Sequence, residues 1–193
     1  MEPFYGDKKL AEQLLGWRDA LGIGTVVETG TGFGCDTQWF GRHFSKVYTI
    51  EIQPNLAHRA RTLFKGTNVQ VVQGEAGKTM SSVADKIPRD EPVLFFFNAY
   101  RKDKTLLTEE LKAALQSHPN FLVIVNEILV PDHPEYVHCR WDDRHEVNLR
   151  LVSGAMDVCS PGWRYRFLEA DAAAAFQVGR LAAYPLSLEN NVI

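Results

Sequence analysis

Apolar positions along the chain switch repeatedly between helical and strand-like spacing. After Asp7, the residues Leu10, Leu14, Leu15 and Trp17 recur at helical intervals as far as Leu21. This predicts a helix over 7–21, with Asp7 as its N-cap and Gly22 and Gly24 ending it. Residues 25–29 form a short β-branched run, glycines follow at once, and a second helical stretch carries Trp39 and Phe40. The alternation then repeats. A strand is predicted over 47–52, a helix over 54–64 opened by Pro54, and a strand over 69–73. A third unit gives a helix over 77–87, a strand over 93–97, an amphipathic helix over 106–115 and a strand over 121–125. Runs such as Val93-Leu94-Phe95-Phe96-Phe97 do not alternate with polar residues, which suits parallel strands covered on both faces.

Beyond Val130 the texture changes. Pro131, Pro134, His133, His138, His145 and the cluster Arg140-Trp141-Asp142-Asp143 read as a long functional loop before periodicity resumes near Val147. Residues 163–168 and 176–184 have the pattern of an antiparallel pair added to a sheet edge. The expected fold is therefore α/β: a doubly wound, mostly parallel seven-stranded sheet with a C-terminal antiparallel hairpin. Ligands are expected at the carboxyl ends of its strands.

Composition narrows the picture. The 193 residues suffice for one well-buried core, so a single domain over 1–193 is expected. The 21 Lys and Arg against 24 Asp and Glu leave a charge of -3 with no basic stripe, which argues against a nucleic-acid partner. No apolar run approaches the roughly 20 residues that span a bilayer, so no membrane partner is expected. The N-terminus lacks the apolar core of a secretory signal. Cys35, Cys139 and Cys159 match neither a disulfide framework nor a metal knuckle. A cytoplasmic protein is the expectation.

The candidate chemistry begins at Val26-Val27-Glu28-Thr29-Gly30-Thr31-Gly32-Phe33-Gly34, where the first strand hands over to its helix. Glycines there permit positive φ and close approach of a ligand to the backbone. About 20 residues on, Glu51 ends the second strand, where a carboxylate can accept hydrogen bonds from both hydroxyls of a ribose. The glycine spacing is not GxGxxG, and Glu28 would repel a pyrophosphate while suiting a ligand that carries an amino group.

These residues resemble the class I S-adenosylmethionine (SAM)-dependent methyltransferases, whose first motif is an acid followed by three alternating glycines and whose second strand ends in an acid. The resemblance implies that Glu28 and the backbone around Gly30, Thr31 and Gly32 face the methionine part of SAM, that Glu51 meets the ribose, and that Ile52 also lies at the cofactor. It extends to Val71-Val72-Gln73-Gly74-Glu75-Ala76, where Glu75 and Ala76 would flank the adenine. The element order matches over nearly the whole chain.

The ends of the fourth and fifth strands, Phe97-Asn98-Ala99-Tyr100 and Val125-Asn126-Glu127-Ile128-Leu129-Val130-Pro131, are expected to carry the chemistry. They resemble a bacterial branch of small-molecule O-methyltransferases whose fourth strand ends FLDAHW and whose fifth ends IDDFxVP. In metal-dependent relatives these acids hold Mg²⁺. Here Asn98, Tyr100 and Arg101 replace Asp-x-His-Trp, and Asn126-Glu127 replaces the paired acids. Hard cations want several anionic oxygens, so no metal is assigned. Asn98 is also a candidate for the amino acid group of the cofactor.

His133 or His138 is a candidate general base, while Arg101, Arg140 and Trp141 are candidate pocket residues. The loop of His133, His138, Cys139 and His145 matches no established metal spacing. The catalytic candidates are thus Asn98, Tyr100, Asn126, Glu127 and His133, and the expected reaction is metal-independent methyl transfer to a small molecule. Two alternatives stay open: cleavage or cyclisation of SAM with release of methylthioadenosine, and a non-catalytic SAM-binding module. A homodimer, with a neighbouring subunit supplying part of the pocket wall, is also open.

Overall fold

The computed structural model describes residues 2–99, 107–116, 118–140, 142 and 146–192. Tyr100, Arg101, Trp141 and His145 lie outside the described residues. Seven strands form one sheet in the order β3-β2-β1-β4-β5-β7-β6. They are β1 Thr25–Thr29, β2 Lys46–Glu51, β3 Val69–Gln73, β4 Val93–Phe97, β5 Phe121–Asn126, β6 Arg164–Leu168 and β7 Arg180–Tyr184. The first five are parallel, whereas β7 runs antiparallel beside β5 and carries β6 at the edge. The expected sheet and its C-terminal hairpin are both present.

The helices are α1 Lys8–Leu21, α2 Cys35–His43, α3 Pro54–Leu63, α4 Ala76–Ala84, α5 Leu107–Leu115, α6 Leu149–Cys159 and the short α7 Glu189–Val192. Asp7 caps α1, its Oδ1 accepting from the Leu10 N–H at 2.9 Å, and Gly22 closes the helix in the left-handed region. No helix among the described residues is long and apolar enough to cross a membrane.

The sheet is buried on both faces, which explains its unbroken apolar runs. Val27, Phe95 and Val123 face α4, α5 and α6, while Val26, Phe96 and Ile124 face the core that includes Leu14 and Trp17 of α1. Phe95, Phe96 and Phe97 are each at most 1% exposed, and burial of one such side chain contributes roughly 1.5–3 kcal/mol. The outer strand β6 is more open, with Arg164 and Tyr165 exposed at the unpaired edge and Leu168 buried.

Two differences from the sequence expectation bear on the site. The periodicity near Val147 belongs to a full helix, α6, capped by Asn148. The last strand begins at Arg180 rather than Phe176, because Gln177 and Gly179 bond Val137 of the long loop instead of the sheet. That bonding pins the loop to the sheet end where the parallel strands finish.

Candidate functional site

The strand order reverses between β1 and β4, and a crevice opens over the carboxyl ends of the strands at that point. It holds two cavities, of about 330 and 160 Å³, that share Tyr5, Gly30, Gly32 and Asn98. The larger is walled by residues that follow each of the five parallel strands: Gly30, Ile52, Glu75, Asn98 and Glu127 in strand order β1 to β5.

The glycine loop is shaped by close approach. Gly30 has φ of 82°, and a Cβ there would stand 2.5 Å from the Asn98 carbonyl oxygen. Only glycine fits between the β1 and β4 tips. Its N–H donates to the Ile50 carbonyl at 2.9 Å, and Gly34, with φ of 84°, begins α2.

Glu51 anchors this loop. Its Oε2 accepts from the Gly32 N–H at 2.9 Å and its Oε1 from the Gln53 N–H at 2.8 Å, yet the side chain still lines the larger cavity. Glu28 lies deeper. It is 1% exposed and walls neither cavity; its Oε2 accepts from the hydroxyls of Thr37 and Thr49. Thr49 in turn meets the Thr31 hydroxyl at 2.6 Å. Glu28 therefore braces the loop and α2 from beneath. Burial, reinforced by Asp36, pushes its carboxyl up to about 8, against the pull of the two hydroxyls.

Ile52, Glu75 and Ala76 all reach the larger cavity, and Ile52 is 39% exposed there. Thr31 lines the smaller one. The cofactor candidates thus gather around one crevice, with Glu28 beneath it.

The two asparagines are joined in one network. Asn126 Nδ2 donates to Asn98 Oδ1 at 2.8 Å, and Arg180 Nε donates to Asn126 Oδ1 at 2.7 Å. Arg180 is 2% exposed and also donates to Asp7 Oδ2 at 2.5 Å and to the Phe4 carbonyl at 3.2 Å. Where the resembled branch has acids for a metal, this chain has amide oxygens already occupied by N–H donors and a guanidinium behind them.

Glu127 lines the larger cavity with a φ of 54°, a left-handed conformation that is strained for a side chain of this size. Tertiary bonds impose it: the Cys139 N–H donates to its carbonyl, and the next N–H, of Ile128, donates to Gly179. Burial raises its carboxyl pKa, opposed by the Tyr5 hydrogen bond and by Arg180. His133 is not brought to either cavity. Its ring stacks on Tyr136 and its Nδ1 lies 3.0 Å from Glu135 at the surface. His138 is likewise turned aside, against the Tyr136 carbonyl and Glu146.

Three site residues went unnoticed in the sequence. Tyr5 lies in the turn Pro3–Gly6 and lines both cavities; its hydroxyl donates to Glu127 Oε1 at 3.2 Å. Burial and Glu127 push the phenol up to about 12, so it stays a donor. Glu110 lines the larger cavity from α5 and is 2% exposed. Burial pushes it up to about 8, opposed by a hydrogen bond from Thr29. The signal was present, since Glu110 shares the apolar stripe of Leu107, Leu111 and Ala114. Arg180 is the third; in the chain it is one charge inside the strand expected over 176–184, and its partners lie far away in sequence.

No protein-family model matches the chain. Among curated proteins it is 28% identical over 99 residues to the probable ribosomal RNA small subunit methyltransferase A of Thermococcus onnurineus. That match covers 48% of this chain and 36% of the relative's length. Among solved structures, the O-methyltransferase of Bacillus cereus, in complex with SAH, superposes with a TM-score of 0.65 at 18% identity over 94% of this chain and 84% of that one. The O-methyltransferase TomG of Streptomyces achromogenes, solved with SAM, gives 0.64 at 18% identity over 91% and 80%. The chain has the fold of the class I SAM-dependent methyltransferases.

Proposed function

We propose that the protein is a SAM-dependent methyltransferase acting on a small molecule without a metal ion. The observation that carries this reading is the crevice itself: a backbone loop with no room for side chains at Gly30, carboxylates at Glu51 and Glu75, and an exposed Ile52. Such a wall fits a nucleoside bearing positive charge. Glu51 would hold the ribose, Ile52, Glu75 and Ala76 would flank the adenine, and the loop of Gly30, Thr31 and Gly32, braced by Glu28, would hold the methionine part. When bound, SAM supplies a methyl group already activated on a sulfonium, so the chain's main task is to position the acceptor.

Metal independence is supported by the donor set. A divalent cation takes several oxygen ligands, whereas Asn98 Oδ1 and Asn126 Oδ1 each accept an N–H, the latter from a fixed guanidinium. A small acceptor rather than RNA is supported by the charge of -3 and by the lack of Lys, Arg or His among the described residues walling the two cavities. One incubation tests the reading. Purified protein is mixed with SAM, with and without a metabolite extract, and the nucleoside is identified by mass spectrometry. S-adenosylhomocysteine (SAH) is expected; methylthioadenosine would mean cleavage or cyclisation, and SAM bound but unchanged in every arm would mean a binding module.

A further inference from the structure

The acceptor side of the crevice is marked by Glu127 and Tyr5. They meet from opposite ends of the chain, Tyr5 on the N-terminal turn and Glu127 at the β5 tip, and both line the larger cavity. Tyr5 fixes Oε1 of the carboxylate. No protein donor among the described residues reaches Oε2. A carboxylate facing a cavity, held in a strained backbone by bonds from Cys139 and to Gly179, is a costly arrangement that solvent exposure alone would not require.

The chemistry of the surroundings decides what Oε2 would meet. A hydroxyl is only weakly acidic, so negative charge develops on its oxygen as the proton leaves, and a cation or metal beside it would stabilise that charge. Among the described residues the cavity wall has none. Arg180, behind Asn126, is spent on Asp7, Asn126 and Phe4. A carboxylate acceptor would be repelled by Glu127. An amine needs neither metal nor cation: it arrives as an ammonium, forms a charge-assisted hydrogen bond to a carboxylate, and becomes nucleophilic on losing one proton.

Resting on the SAM-dependent reading of this site, we infer that the acceptor is a primary or secondary amine, captured as its ammonium by Glu127, with Tyr5 as the positioning residue that aims the carboxylate. In the step that follows, the N–H bond breaks, the proton moves to Glu127 Oε2, and the electron pair stays on nitrogen as the nucleophile. Burial of Glu127 favours this transfer because it raises the carboxylate's affinity for a proton. The titratable groups facing Glu127 are Tyr5 from the N-terminal turn, Arg180 from β7 and Cys139 from the long loop.

The test measures binding as well as turnover. Ethylamine, cyclohexylamine and benzylamine, with the alcohols and carboxylic acids of the same skeletons, are titrated calorimetrically into the protein with and without saturating SAH. At least one amine is expected to bind tenfold or more tightly than its alcohol and its acid. Glu127→Gln is expected to remove that preference, and Tyr5→Phe to weaken it about threefold, in protein whose melting curve shows it folded. Turnover with SAM should give N-methyl products alone.

Equal binding of amine and alcohol, no binding of any amine, O-methyl products, or a preference that survives Glu127→Gln would each overturn the inference. If Glu127→Gln does not fold, Tyr5→Phe decides, and an unchanged amine preference in that variant overturns the pairing. Failure of SAH to bind would overturn the cofactor reading instead, while the titrations without SAH still decide the preference for a cation.

Discussion

Arg180 closes on Asp7 across 173 residues of chain, its Nη1 2.5 Å from the carboxylate, with both side chains at most 2% exposed. The pair joins β7 to the start of α1 and holds the Phe4 carbonyl through a third guanidinium bond. Through Asn126 and Asn98 the same guanidinium reaches the rim of both cavities.

Asp7→Asn is expected to destabilise the protein by about 3–5 kcal/mol, because it leaves the buried Arg180 charge without its counter-ion. Asparagine keeps the N-cap of α1, so the loss reports the ion pair and not the helix end. Thermal or urea unfolding checks it; a change below about 1 kcal/mol would mean that solvent reaches Arg180.

Gly30→Ala should abolish tight SAM binding and lower the melting temperature. The left-handed φ alone costs about 1–2 kcal/mol, and the added methyl would stand 2.5 Å from the Asn98 carbonyl oxygen, forcing the β1 and β4 tips apart. Calorimetry with SAM and a melting curve read the two effects separately.

Glu51→Ala is expected to weaken SAM at least tenfold, about 1.4 kcal/mol. It removes the candidate ribose carboxylate and also the bonds that hold Gly32 and Gln53. An unchanged affinity would take Glu51 out of the ribose site.

A pH test isolates Glu110. Its folded pKa, raised by burial to about 8, exceeds the ordinary 4.5, so between these values the folded state binds more protons than the unfolded one. The stability tied to this group is fully present below about pH 4.5 and is lost as pH rises toward 8. Glu110→Gln, which stays neutral, should therefore gain stability relative to the parent protein from pH 5 to pH 8. A melting-temperature difference that is flat with pH would show that Glu110 ionises freely in the fold.

The α/β alternation, the parallel core of the sheet, the terminal hairpin and the positions of Gly30, Glu51 and Glu75 were all legible in the chain. Each rests on local rules: side-chain period, turn chemistry, and the handover from strand to helix. Even Glu110 was readable as a carboxylate on an apolar stripe. Tyr5, Arg180 and the standing of Glu127 were not, because each depends on partners more than fifty residues away.

The N-terminal turn shows the reason most plainly. Phe4, Tyr5 and Gly6 all have positive φ, which no local preference of Phe or Tyr would select. Burial of Phe4 at 1% exposure against Trp39, Phe40 and Phe96 fixes it. So do bonds from the Phe4 N–H to Asp36 and from the Ala175 N–H to the Tyr5 carbonyl. The sequence by itself determined where strands end and which glycines bend between them, since these follow from a few neighbouring residues. The tertiary structure alone decided which side chains close over those ends, because long-range packing and buried charge outweigh the local cost of the conformations they require.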